Sequence, residues 1–196
     1  MRSLCLVAHP DDEVFFAGSL LCSTPRHSWD VICLTCDEHE REEKFNEARM
    51  VLSSYGANIV NAEILYQPDP VGPVPDARWF ALCLAGVRDA WSSKGYDLVV
   101  THNRKGDYGH PHHIACNAIA RTLGTKVWEF THSRATGVGR QWHGEAYMHV
   151  PAHPGKSAAL GCYFDELVGF QHHYPELGHD IAVGNETFTG DGNWPA

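Results

Sequence analysis

Two short stretches hold the residues best equipped for chemistry. One is Ala8-His9-Pro10-Asp11-Asp12-Glu13; the other runs from Thr101 and His102 through Asp107, Tyr108 and His110 to His112 and His113. A run of polar or conformationally restricted residues is costly inside a core, so the first stretch belongs on a turn at a sheet edge. Pro10 fixes its own φ and restricts His9, which holds the imidazole and the carboxylates after it in one geometry. A His and an Asp three positions later can converge on one cation, with the carboxylate between them turned to a neighbouring spot. Alone, that spacing reads more simply as a helix-capping Asp beside a surface His. The second stretch changes the balance, because three of the chain's 14 histidines fall within four residues there. A mixed His/His/Asp set suits Zn²⁺ and leaves a position open for water, the mark of a catalytic site. Iron(II) or another divalent transition metal also accepts two histidines and a carboxylate, so residue types leave the metal open.

Both stretches need elements to position them. Residues 3–8 form a short apolar run of the kind buried strands show, and 14–21 suit a helix packed on a sheet. Residues 29–35 read as a second strand. A helix is expected over 41–54, where Phe45, Ala48, Val51 and Leu52 recur at helical spacing before Gly56. A third strand follows over 58–65. Four prolines and a glycine make 67–75 a loop, after which Asp76 caps a helix running to Ser93. Residues 97–101 and 126–130 read as the fourth and fifth strands, with a helix over 113–123 between them. Beyond, a sixth strand is expected over 142–150 and a helix over 154–164. The glycine-bearing tail, with Gly178, Gly184, Gly190 and Gly192, reads as irregular.

Strands alternating with helices imply a single α/β, Rossmann-like domain: a mostly parallel sheet with helices on both faces. Its core is residues 1–130, and 131–196 complete the pocket and the sheet edge. Ligands in such sheets bind outside the carboxyl ends of the strands, where both reactive stretches fall.

Composition narrows the function. The chain has 196 residues, 43% hydrophobic and 20% charged, which fits one folded domain. No apolar run approaches the roughly 20 residues that span a bilayer. A single Arg2 before the first apolar stretch suits a strand better than a signal peptide. A net charge of −9 with no basic run argues against nucleic acid and anionic membranes as partners. The seven cysteines are odd in number and scattered through apolar runs, as reduced thiols of a cytoplasmic protein are. Cys33 and Cys36 have redox-motif spacing but end a strand instead of opening a helix, so they read as structural. No Gly-x-Gly-x-x-Gly follows the first strand, which argues against a dinucleotide-binding protein. Glu13 reads as support for its turn, and His172 and His173 as exposed.

The Ala-His-Pro-Asp-Asp-Glu turn, paired with Gly106-Asp107-Tyr108-Gly109-His110-Pro111-His112-His113 after a later strand, resembles the LmbE-like/PIG-L zinc-dependent N-acetylglucosaminyl deacetylases. The likeness covers residues 1–123 and returns more weakly at 156–160 and 186–188. It implies that His9, Asp12 and His113 hold the metal, and that Asp11 is the general base taking a proton from the attacking water. It further implies that His110, as a protonated imidazole, stabilises the oxyanion and donates to the leaving amine, while Tyr108 polarises the carbonyl. The implied cofactor is Zn²⁺, and the implied substrate a small N-acetylated amino sugar or glycoconjugate. Two positions depart from the family pattern. His112 stands where many members carry Asp or Asn, which makes Asp107 the candidate to orient His110. Lys44 stands where the family has a sugar-contacting Arg, with Arg41 one turn earlier as the other candidate. Asp69 is a further candidate for substrate hydroxyls, and Trp142 for stacking on a sugar ring. An amide hydrolase of the same fold with a non-sugar substrate is the alternative, as is a non-catalytic metal- or sugar-binding member; Asp11 counts against the latter, since a pure binder needs no base. Homo-oligomerisation is left open.

Overall fold

The computed structural model describes residues 1–36, 39–66, 75–131, 146–191 and 194. Its elements are β1 (Arg2–Val7), α1 (Asp12–Ser23), β2 (Ser28–Thr35), α2 (His39–Ser54), β3 (Ile59–Tyr66), α3 (Ala77–Lys94), β4 (Leu98–Thr101), α4 (Pro111–Arg121), β5 (Lys126–Phe130), β6 (Ala146–Val150), α5 (Pro154–Leu160), α6 (Phe164–His173), α7 (Pro175–Val183) and β7 (Glu186–Gly190). Side chains alternate across a strand, so apolar residues at every position demand cover on both faces. Cys5, Val7, Val31, Cys33 and Val100 pack on one face with Phe45, Ala48 and Leu52 of α2 and with the apolar side of α1. Leu4, Leu6, Ile32, Leu34 and Val99 pack on the other with Trp79, Cys83 and Val87 of α3 and Cys116 and Ile119 of α4. Asp76 caps α3 by accepting the Trp79 N–H at 2.7 Å.

The sheet order is β3-β2-β1-β4-β5-β7-β6. The first five strands are parallel, while β7 runs antiparallel to both β5 and β6. From β1 the chain winds outward through β2 and β3, then returns to place β4 on β1's other side. That reversal opens a crevice above the carboxyl ends of β1 and β4, where Leu6 is in register with Thr101. Residues 8–13 and 102–113 therefore face each other across one gap.

Beyond β5 the fold differs from expectation. The tail is ordered into α6, α7 and β7, and β7 is inserted between β5 and β6. Gly190 permits this close approach: a Cβ there would lie 2.4 Å from the Trp128 indole. The helix expected over 154–164 is two helices, α5 and α6, joined by a 3₁₀ turn at Gly161–Tyr163. Asp69 and Trp142 lie outside the described residues. All seven cysteines are free thiols, and burial holds Cys33 well above its ordinary pKa. Among the described residues, no helix is long and apolar enough to cross a membrane.

Candidate metal centre

The turn after β1 is built around an unusual backbone conformation. Asp11 has φ 116° and ψ −36°, outside the main basins for a residue with a Cβ. Such a conformation costs on the order of 1–3 kcal/mol and persists only where surrounding contacts enforce it. Here they do. The Asp11 N–H donates to Glu13 Oε2 at 3.0 Å, and Glu13 Oε1 accepts the Tyr163 hydroxyl at 2.8 Å. Arg41 Nη2 donates to both Pro10 O and Asp11 Oδ2 at 2.7 Å. The neighbouring Asp12 turns inward, and its Oδ2 accepts the His9 N–H at 2.9 Å. The same oxygen lies 3.5 Å from His9 Nδ1, 3.3 Å from His102 Nε2 and 3.4 Å from His113 Nε2.

The loop after β4 supplies the imidazoles. Asp107, at φ 62°, is fully buried, and its Oδ2 is engaged by His102 Nδ1 at 2.5 Å and His113 Nδ1 at 2.8 Å. Asn103 Nδ2 donates to the other oxygen, Oδ1, at 2.9 Å. Gly106, at φ 73°, must be glycine, since a Cβ would meet His110 O at 2.6 Å. His110 caps α4 by accepting the His112 N–H at 3.3 Å, with Pro111 at the first helical position. His112 lies flat against Trp79, and its Nδ1 is 2.9 Å from His9 Nε2.

These residues fit a divalent cation. Asp107 takes the Nδ1–H of His113 and thereby directs the Nε2 lone pair inward, the carboxylate–histidine arrangement found behind metal ligands. That Nε2 is buried and has no hydrogen-bond partner. Burial lowers the His113 pKa to about 4, so the ring is neutral at neutral pH, the form that ligates. His9, Asp12 and His113 each offer an atom within 4.8 Å of the others.

The two adjacent carboxylates are driven apart. Burial and the charge of Asp12 hold Asp11 well above the usual carboxylate range, against the pull of Arg41. Burial pushes Asp12 the same way, but His113 and His102 overcome it and hold Asp12 well below that range. Such a divergence separates a proton-accepting carboxylate from a permanently ionised one. His102 is disfavoured as a cation by burial, yet Asp12 and Asp107 raise it to about 9. Burial and the neighbouring His113 and His9 lower His110 to about 3, so the ring is neutral and not the protonated imidazole expected from the resemblance.

Most of the expected site residues converge here, but not all. Arg41 reaches the site through Asp11. Lys44 stands on Glu166 of α6 at 2.8 Å and on Glu40 at 3.1 Å. The Tyr108 ring sits 5.2 Å from His113 and 4.7 Å from Tyr174. It lines a cavity of about 570 Å³ together with His173, Tyr174 and Glu176. Two contributors carried no assignment from sequence. His102 follows β4 much as His9 follows β1, a symmetry that is visible in the chain. Tyr163 comes from a 3₁₀ turn far along the sequence and gives no local signal.

The sequence profile of the PIG-L family (GlcNAc-PI de-N-acetylase) matches residues 4–123. The chain belongs to this family. The N-acetylglucosaminyl-phosphatidylinositol de-N-acetylase of Bos taurus is 32% identical to this PIG-L family chain over 130 residues, 62% of the chain and 50% of the bovine protein. The chain spans about half the length of the curated relatives it matches. Among solved structures, the deacetylase of teicoplanin biosynthesis is similar at a TM-score of 0.69 and 15% identity, covering 97% of each chain. The 4-carboxy-2-hydroxymuconate hydratase GalB of Pseudomonas putida KT2440 is similar at 0.70 and 15% identity, covering 100% of this chain and 98% of its own. At such identity the likeness shows the fold alone, and the fold evidently hosts more than one chemistry.

Proposed function

We propose that this PIG-L family chain is a metal-dependent N-deacetylase that releases acetate from an N-acetylated amino sugar or its conjugate, with His9, Asp12 and His113 as the ligands. One observation carries the reading: the buried Nε2 of His113, aimed by Asp107 and making no hydrogen bond, lies 3.4 Å from the carboxylate of Asp12, which is held ionised. A divalent cation there, Zn²⁺ or Fe²⁺, would bring the pKa of water from 15.7 to about 7 and polarise the acetamide carbonyl.

The chain's own residues supply the rest. Asp11 accepts a proton from the attacking water, and its raised pKa brings it closer to the operating pH, where a general base works best. Arg41 keeps that carboxylate aimed. His110, neutral in the resting site, offers a ring N–H to the tetrahedral oxyanion, a contribution of about 3 kcal/mol per donor. Burial keeps the Tyr108 hydroxyl protonated, so it is a second donor to the carbonyl oxygen. The proton taken by Asp11 is then available to the leaving amine.

The name of the bovine relative supports an N-acetylglucosamine-type substrate, and the cavity beside Tyr108 has room for its aglycone. Arg41, Lys44, His112 and Asp69 are the candidates for substrate contact. A non-sugar amide is the second reading, favoured by the engagement of Lys44 with Glu166 and Glu40. Seven free thiols fit a reducing compartment such as the cytoplasm.

The test is a panel of N-acetylated amino sugars, their inositol and peptide conjugates, and N-acylated non-sugar amines, read with fluorescamine for new primary amines. Amine release from an N-acetylglucosamine member is expected, lost on chelation and restored by added metal. Metal-loaded protein that releases amine from acylated non-sugar amides alone favours the second reading, and none from any member overturns the deacetylase.

A further inference from the structure

His112 creates a cluster that the proposed centre does not use. His9, His110 and His112 each offer a ring nitrogen, and those atoms lie within 4.8 Å of one another. His9 belongs to both sets but presents different atoms: Nδ1 faces Asp12, and Nε2 lies 2.9 Å from His112 Nδ1. The three rings are held in place. Their centroids are 4.8 to 5.2 Å apart. His112 is also pinned by the Trp79 indole, 5.1 Å away and inclined at 21°. His110 is fixed by its capping of α4. Three imidazoles with no carboxylate form a borderline-soft site for Zn²⁺ or Cu²⁺ and a poor one for Mg²⁺ or Ca²⁺.

We propose that His9, His110 and His112 form a second, inhibitory transition-metal site beside the catalytic one, filled when Zn²⁺ is in excess. The proposal rests on the reading of His9, Asp12 and His113 as the first site. Filling replaces the His9–His112 hydrogen bond with two metal–nitrogen bonds and displaces the proton shared between those rings to solvent. It also takes His110 Nε2, whose proton shifts to Nδ1 as that nitrogen gives up the His112 N–H, and so withdraws the ring N–H from the oxyanion. Inhibition by excess metal therefore depends on His112.

The experiment is equilibrium dialysis of the full chain against rising Zn²⁺, counting metal per chain, with amine release measured at each point. The wild type is expected to bind a first equivalent tightly and a second more weakly, with activity falling as the second fills. His112→Asn is expected to keep the first equivalent and lose the second, and its activity, referred to its own value at one equivalent, is expected not to fall as Zn²⁺ rises. His112→Phe preserves the stack on Trp79 and provides the same test if the Asn variant does not fold. His113→Ala is expected to lose the tight equivalent and keep the weaker one. A second equivalent that survives both His112 variants, or a wild type that stops at one, overturns the proposal and leaves the first site standing. A wild type that binds no metal overturns both.

Discussion

Asp11 after β1 and Asp107 after β4 are the two non-glycine residues with positive φ among the described residues, at 116° and 62°. They belong to facing turns, yet their situations are opposite. Asp107 sits in the left-handed basin that Asp tolerates, its side chain wholly buried, and it spends both oxygens on His102, His113 and Asn103. Asp11 lies outside that basin with a side chain 13% exposed, held by Arg41 and by the hydrogen bond of its N–H to Glu13. The relaxed aspartate thus orients, and the strained one is presented to whatever enters the crevice. Backbone strain of this kind clusters at active sites, which supports the role proposed for Asp11.

The largest expected effect separates the two. Asp11→Asn should lower amine release by about 10²–10⁴-fold, the usual worth of a general base, with metal content unchanged. Turnover within a few-fold of wild type would remove the distinction. Asp107→Asn should act on the metal instead, weakening affinity by about 10–100-fold in a chelator competition. If affinity held while turnover fell, Asp107 would belong with the reacting groups. On the same turn, Gly106→Ala drives a Cβ to 2.6 Å from His110 O and is expected to cost about 1–3 kcal/mol in denaturant unfolding.

The smallest effect concerns the support beneath Asp11. Burial raises Glu13 from 4.5 to about 8, so the folded chain holds a proton that the unfolded chain has released. That contribution to stability is complete below the unfolded value and fades as pH rises through the folded one. Glu13→Gln should therefore flatten the metal-free chain's loss of stability between about pH 4.5 and 8, by at most about 1.4 kcal/mol per pH unit. Parallel melting curves for the two proteins across that window would show that Glu13 does not carry this proton.

The same contrast explains what could be read from sequence. β1 to β5 and their helices declare themselves through apolar runs and helical periodicity, because the strands are covered on both faces and each helix buries one side. The order of the two turns then puts His9, Asp12 and His113 near one another by topology alone. β7 gave no such signal: it is five residues long, ends in Gly190, and pairs with a strand nearly 60 residues earlier. α7 has no side-chain cap, which leaves Pro175 at its start and Gly184 at its end as its local signals, in a stretch whose glycines read as irregular. His102 and Asp107 were legible as residue types. Their clasp was not, because it depends on the positive φ of Asp107 and on how closely β4 approaches β1. The contact of Tyr163 with Glu13 spans 150 positions and is purely tertiary.

The proposed chemistry stands on the cation that His9, Asp12 and His113 are arranged to hold, and its most direct test is the metal content of His113→Ala. Purified wild type, dialysed to remove loosely held ions, should carry about one transition-metal equivalent per chain, and His113→Ala should carry none tightly bound while remaining folded. An unchanged metal count in that variant would contradict the ligand set, and with it the role given to Asp107.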